Sequence, residues 1–226
     1  EIEFYDLHSK DIFSKFPFYH ASMIGKTKED FLKYIINSAK INSKSKVVDL
    51  GCGSGYVVDS LNKFCKSIGI STSEQCVKQA KLNFPNSKFK IANMETFLCK
   101  DVTHFLTLES LGYANVEKTF KNVYKNLTKN GFFYVKEWFK KNNENNKQKE
   151  NREYWEYFFK YKSYSILDVI KIGYNSGFNL LSLNNLTTKI NADMFFECAK
   201  YHKFNYVEPH KEISYVDSVE LLFIKN

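Results

Sequence analysis

Apolar positions change their spacing repeatedly along this chain, and the changes predict alternating helices and strands. Thr27 reads as an N-cap with Asp30 three residues on, and Phe31, Leu32, Ile35, Ile36 and Ala39 follow at helical spacing. A polar turn over 42–46 leads into a short apolar strand, Val47-Val48-Asp49-Leu50. Helical spacing returns at Val57, Val58, Leu61, Phe64 and Cys65, and a strand follows near 67–71. Ser73 can cap the next helix, whose apolar face is Val77, Ala80 and Phe84 and which Pro85-Asn86 stops. Strands are expected at 89–91 and 102–108. The helical face Val116, Phe120, Val123, Tyr124, Leu127 then ends at Asn130-Gly131, with a fifth strand over 132–138. Beyond it, 165–175 reads as helix, 178–183 as extended, 192–204 as helix and 219–224 as a last apolar strand.

Strands alternating with helices at this pace imply βαβ units. The expected fold is therefore doubly wound α/β: a mostly parallel, seven-stranded sheet with helices on both faces. Residues 1–25 show no sustained period and many aromatics, so they read as an N-terminal cap on a main domain spanning 26–226. The stretch 140–152 is almost wholly polar and has no face to bury. It reads as a solvated insertion, or the stalk of a lid, within 140–164.

Composition changes this picture little. Of 226 residues, 43% are hydrophobic, enough for a core, and no run approaches the ~20 apolar residues of a membrane span. The first residues lack the basic start and apolar run of a signal peptide. Five cysteines, an odd number without a C-x-x-C pair, and scattered histidines point to reduced thiols in a cytoplasmic protein, with no disulfide frame and no metal site. The net charge of +8 invites a nucleic-acid partner, but Arg152 is the single arginine among 33 basic residues. Lysine lacks the planar fork that grips phosphates and guanine edges. A small-molecule substrate is the expected partner, nucleic acid is disfavoured, and a homodimer stays open.

The informative segment is Asp49-Leu50-Gly51-Cys52-Gly53-Ser54-Gly55, between a strand and a helix. Glycines there let backbone turn sharply and approach a ligand, and the helix start offers unpaired N–H groups to an anionic group such as a carboxylate. A dinucleotide fingerprint would be G-x-G-x-x-G with an acid ~20 residues on. Here the third glycine comes one position early and an acid stands two before the first. In an open parallel sheet, ligands sit beyond the carboxyl ends of the strands. Ser71-Thr72 and Gln75, Asn93-Met94, and Thr107-Leu108-Glu109-Ser110 through Tyr113 all fall at such ends. A carboxylate that ends a buried strand, as Glu109 does, is costly to bury without a task.

These motifs resemble those of S-adenosylmethionine-dependent methyltransferases of the Rossmann-like class. Asp-x-Gly-x-Gly-x-Gly is similar to that family's first motif. The resemblance implies that Asp49 serves the methionyl ammonium and that Gly51, Cys52, Gly53 and Gly55 flank the cofactor. Gly69-Ile70-Ser71-Thr72-Ser73 is similar to a segment of cyclopropane fatty acid synthases and isoprenoid C-methyltransferases, although Cys76 stands where those carry glutamine, with Gln75 one earlier. Ser71, Thr72 and Gln75 thereby become candidates for the ribose, Asn93 and Met94 for the adenine, and Thr107 for the cofactor pocket. Glu109-Ser110 followed by Tyr113 resembles the geranyl diphosphate C-methyltransferase group, in which the glutamate faces the substrate. The implied activity is methylation of a small molecule, foremost at carbon of a lipophilic or isoprenoid-type acceptor. The alternatives are an amine or phenol acceptor and, less favoured, RNA. Glu109, Tyr19, His20 and Tyr113 are the candidate catalytic residues, with Trp138 as a wall. An N-P-P-Tyr signature after the fourth strand is absent.

Overall fold

The computed structural model describes residues 28–185 and 216–226. Thr27, the cap segment with Tyr19 and His20, and the helix expected at 192–204 lie outside the described residues. The elements in chain order are α1 (Lys28–Ser38), β1 (Lys46–Leu50), α2 (Tyr56–Asn62), β2 (Lys66–Ser71), α3 (Glu74–Asn83), β3 (Phe89–Ile91) and β4 (Val102–Leu108). A 3-10 turn (Leu111–Tyr113), α4 (Val116–Asn126), β5 (Leu127–Lys140), α5 (Asn146–Phe159), α6 (Ile166–Asn175), β6 (Phe178–Asn185) and β7 (Val216–Lys225) complete them.

The strands form one seven-stranded sheet in the order β3-β2-β1-β4-β5-β7-β6. The strands from β3 to β5 pair in parallel, while β7 runs antiparallel to both β5 and β6. The chain winds outward from β1 in both directions, so the order reverses between β1 and β4. The crevice beyond their carboxyl ends is where such a sheet receives a ligand.

Alternate residues of each strand feed two cores, as a sheet covered on both faces requires. Val48, Leu50, Phe105, Phe133, Val135 and Leu221 pack with Phe120 and Val123 of α4 and Val169 of α6. Val47, Leu106, Leu108, Tyr134 and Leu222 pack on the other face with Phe31 and Ile35 of α1 and Val57 and Leu61 of α2. The buried Glu220 of β7 accepts a hydroxyl from Tyr34 of α1 on one oxygen and from Tyr134 on the other. Burial first, then the carboxylate, pushes both phenols well above their ordinary range. No helix among the described residues is long and apolar enough to cross a membrane.

One expectation is corrected and one is made more specific. The fourth helix stops at Asn126, and Leu127 already begins β5 opposite Val102. Leu127 fits both a helical and an extended period, so its assignment falls to the helix-end hydrogen bonds. Lys225 Nζ donates to the carbonyls of Tyr124 and Leu127, both at 2.7 Å, and Asn126 Nδ2 donates to Asn122 O at 2.8 Å. The two Lys225 bonds occupy carbonyls that a continuing helix would use. The polar stretch after β5, expected as a solvated insertion or the stalk of a lid, carries a helix. Asn145 and Gln148 form a reciprocal capping box, and α5 runs from Asn146 to Phe159. Arg152 Nε and Nη2 bind both oxygens of Glu144, at 2.6 and 3.0 Å, and Nη1 binds Glu156 at 2.9 Å. Ion pairs along the helix replace the apolar face that the polar stretch lacks.

Candidate active site

The loop after β1 rises over the crevice with Gly51, Gly53 and Gly55 at φ 80°, 48° and 86°. The N–H groups of Gly51 and Cys52 both donate to Ile70 O, at 2.9 and 3.0 Å, and this pins the loop to the end of β2. At Gly51 the need for glycine is double. The backbone is left-handed, and a Cβ would stand 2.5 Å from Ser110 Cβ. Ser110 Oγ donates to Leu50 O and lies 2.8 Å from Thr107 Oγ1. Thr107 is fully buried, so its hydroxyl supports the loop through Ser110 from below.

Asp49 sits at the base of the loop, 3% exposed, and no donor among the described residues reaches its carboxylate. Desolvation pushes its carboxyl from 3.8 to about 7. A buried acid without a partner is costly, and an ammonium group delivered by a ligand would relieve that cost. Cys52 lies alongside; burial, then Asp49 and Cys76, push its thiol up.

The other predicted residues lie at the carboxyl ends of β2 and β3. Ser71 ends β2, its Oγ accepting from Ser73 N, while Ser73 Oγ caps α3 by accepting from Cys76 N as expected. Thr72 is exposed and Gln75 half-buried on the first turn of α3. Asn93 is exposed just beyond β3, its Oδ1 accepting from Glu95 N at 2.8 Å. Met94 is half-buried, its Cε 3.8 Å from the position of a Gly51 Cβ. The crevice thus gathers a buried acid, a glycine loop, hydroxyls and an amide at the β2 end, and a soft apolar contact at the β3 end.

At the end of β4, Glu109 takes a left-handed conformation at φ 57°, and its N–H donates to Lys136 O at 2.8 Å. Its carboxylate meets Lys136 Nζ at 3.4 Å, with both side chains nearly buried. Glu109 is therefore half of an ion pair, a partner that motif reading missed. Tyr113 stands edge-on to Tyr161, ring centroids 5.0 Å apart. Glu137, next to Lys136, is also buried, and its carboxyl is pushed to about 7, chiefly by desolvation, against the hydrogen bonds it accepts. Lys136 and Glu137 had a signal in the sequence: two adjacent charges inside the apolar run 132–139. Tyr161 had none. Trp138 is half-buried beside them.

Fold, glycine loop and buried acid together define a Rossmann-like α/β domain with a ligand crevice at the switch point of its sheet. Comparison with known proteins agrees. Residues 23–183 match the model of a methyltransferase domain. Geranyl diphosphate C-methyltransferase from Streptomyces coelicolor superposes with a TM-score of 0.71 at 15% identity, over 88% of this chain and 79% of that one. A cyclopropane synthase from Mycobacterium tuberculosis gives 0.68 at 14% identity, over 88% and 85%. The 235L protein of Invertebrate iridescent virus 6, itself assigned as a methyltransferase by inference, is 30% identical over 66 residues. That stretch is 28% of this chain and spans a quarter of the viral protein's length. The chain belongs to the methyltransferase-domain family. Its architecture is Rossmann-like class I, the fold that a geranyl diphosphate methyltransferase shows in complex with S-adenosylmethionine.

Proposed function

We propose that the enzyme methylates carbon in a small, lipophilic acceptor of isoprenoid or lipid type. The observation that carries this reading is the carboxylate of Glu109 at the tip of β4, one residue from the Ser110 that touches the glycine loop. The cofactor-side assignments follow the crevice. Asp49 takes the methionyl ammonium, and Gly51, Cys52, Gly53 and Gly55 lie against the cofactor. Ser71, Thr72 and Gln75 serve the ribose, Asn93 and Met94 the adenine, and Thr107 acts through Ser110 by fixing the height of the loop.

S-adenosylmethionine supplies, when bound, an electrophilic methyl on a sulfonium. With an alkene acceptor, transfer of that methyl would form the new C–CH3 bond from the π electrons as the C–S bond broke, leaving S-adenosylhomocysteine. The acceptor is then a carbocation, which aromatic faces and a carboxylate stabilise. Tyr113 and Trp138, with Tyr19 of the cap segment, are the proposed aromatic walls. Glu109 is the proposed base for the departing proton, with His20 as the alternative. Lys136 balances the charge of Glu109 before the cation forms, so the buried carboxylate does not stand alone at the acceptor end.

The test is incubation of the full-length protein with labelled S-adenosylmethionine and a panel of prenyl diphosphates, sterols and unsaturated lipids, with a second panel of amines and phenols. Product from the first panel, lost in Glu109→Gln, is expected. Methylation confined to the second panel overturns the carbon reading and leaves a nitrogen or oxygen methyltransferase.

A further inference from the structure

Glu137 is 2% exposed, yet its two oxygens collect three donors from three parts of the chain. Oε2 accepts from Leu111 N of the 3-10 turn at 2.7 Å. Oε1 accepts from Trp138 N of β5 at 2.9 Å and from the hydroxyl of Tyr161, which follows α5. Burying a carboxylate costs several kcal/mol unless charged hydrogen bonds satisfy it, and a shape-matched apolar residue would avoid that cost. What an apolar residue would not do is hold the Leu111 amide.

That amide anchors a turn with the acceptor-side residues on either side of it. Glu109 lies two positions before Leu111 and Tyr113 two after. Tyr161 is locked to the same turn by three further contacts. Its ring lies where a Gly112 Cβ would stand, 2.4 Å from the nearest ring atoms, so only glycine fits beneath it. Lys162 N donates to Gly112 O at 3.0 Å. Tyr113 packs edge-on against the Tyr161 ring. Farther along, Ser163 N donates to Glu156 of α5 at 2.8 Å, and Arg152 binds the same carboxylate. The turn after β4, strand β5 and the segment leaving α5 thus meet at one carboxylate.

We infer that Glu137, held by Tyr161, is a positioning residue that sets the 3-10 turn and with it Glu109 and Tyr113 against the acceptor. The inference rests on the reading that these two residues face the acceptor. It assigns Glu137 no contact with the reacting atoms. Glutamine cannot replace it: all three groups around it donate, so an amide NH2 must confront one of them. The Gly112–Tyr161 contact makes the segment after α5 part of the same device.

The test compares Glu137→Gln and Tyr161→Phe with the parent in three measurements. These are S-adenosylhomocysteine affinity by calorimetry, hydrogen exchange across 109–113, and kcat and KM with whichever acceptor of the panel turns over. Tyr161→Phe keeps the ring over Gly112 and removes only the hydroxyl. The expected result is unchanged cofactor affinity, faster exchange of the turn in both variants, and kcat down by about 100-fold in Glu137→Gln, with KM little altered. Parental exchange or parental kcat in a folded Glu137→Gln protein overturns the inference. If Glu137→Gln does not fold, Tyr161→Phe decides: a slowed kcat with a loosened turn supports the device, and parental values overturn it. Glu109→Gln is run in parallel. Full activity there refutes the acceptor reading, whereas exchange of the turn reports on Glu137 without any acceptor.

Discussion

Binding of S-adenosylmethionine should depend on pH through Asp49. In the cofactor-free protein, burial raises this carboxyl from 3.8 to about 7. At 1.36 kcal/mol per pH unit, the rise corresponds to roughly 4 kcal/mol needed to ionise the group in place. On the proposed reading a ligand ammonium supplies the missing partner, so the cofactor binds the ionised form. Below pH 7, where that form becomes the minority, affinity should fall by about tenfold for each pH unit. Asp49→Asn should flatten this dependence and weaken binding at pH 7.5 by about 2 kcal/mol, roughly thirtyfold, the worth of a charged hydrogen bond. The same residue sets a stability trend. Its folded value lies above its unfolded one, so the native state holds the extra proton between about pH 4 and 7. Its contribution to stability is present below that window and lost as pH rises through it. Cofactor-free Asp49→Asn should therefore melt above the parent at pH 8 and close to it at pH 4. Glu137 titrates in the same region. It is retained in the Asp49→Asn variant, so the difference between the two proteins belongs to Asp49. Isothermal titration calorimetry from pH 5 to 8, with thermal melts alongside, measures both effects. An affinity that stays constant over this range, or an Asn variant that binds as the parent does, would refute the reasoning.

Gly51→Ala meets both a left-handed backbone and Ser110 Cβ at 2.5 Å; it should cost about 2 kcal/mol of stability in denaturant melts and abolish cofactor binding in calorimetry. Gly112→Ala drives a methyl into the Tyr161 ring at 2.4 Å; turnover should fall while cofactor affinity holds, and equal losses of both would contradict the placement of the turn on the acceptor side. Lys225→Met strands the carbonyls of Tyr124 and Leu127, so urea unfolding should show a loss of about 1–2 kcal/mol with unchanged turnover.

Several features that depend on neighbours in sequence were legible in the sequence. The strand over 102–108, the Ser73 cap and the glycine loop with Asp49 each rest on spacing within a few residues, and the structure holds them where the pattern put them. Glu109 was legible as a carboxylate at a strand end, because burial without a task is expensive. The helix α5 was hidden because its polar first half is held by Arg152, Glu144 and Glu156, pairs that a hydrophobic pattern does not register. Tertiary structure alone decided that β7 inserts between β5 and β6, and that Lys225, at the far end of the chain, closes the fourth helix. It also decided that Lys136 meets Glu109, and that Leu111, Trp138 and Tyr161 converge on Glu137. Apart from the Trp138 amide, which is Glu137's own neighbour, those contacts join residues tens of positions apart. Periodicity encodes which face a residue turns inward, and only the folded sheet determines which partner it finds there.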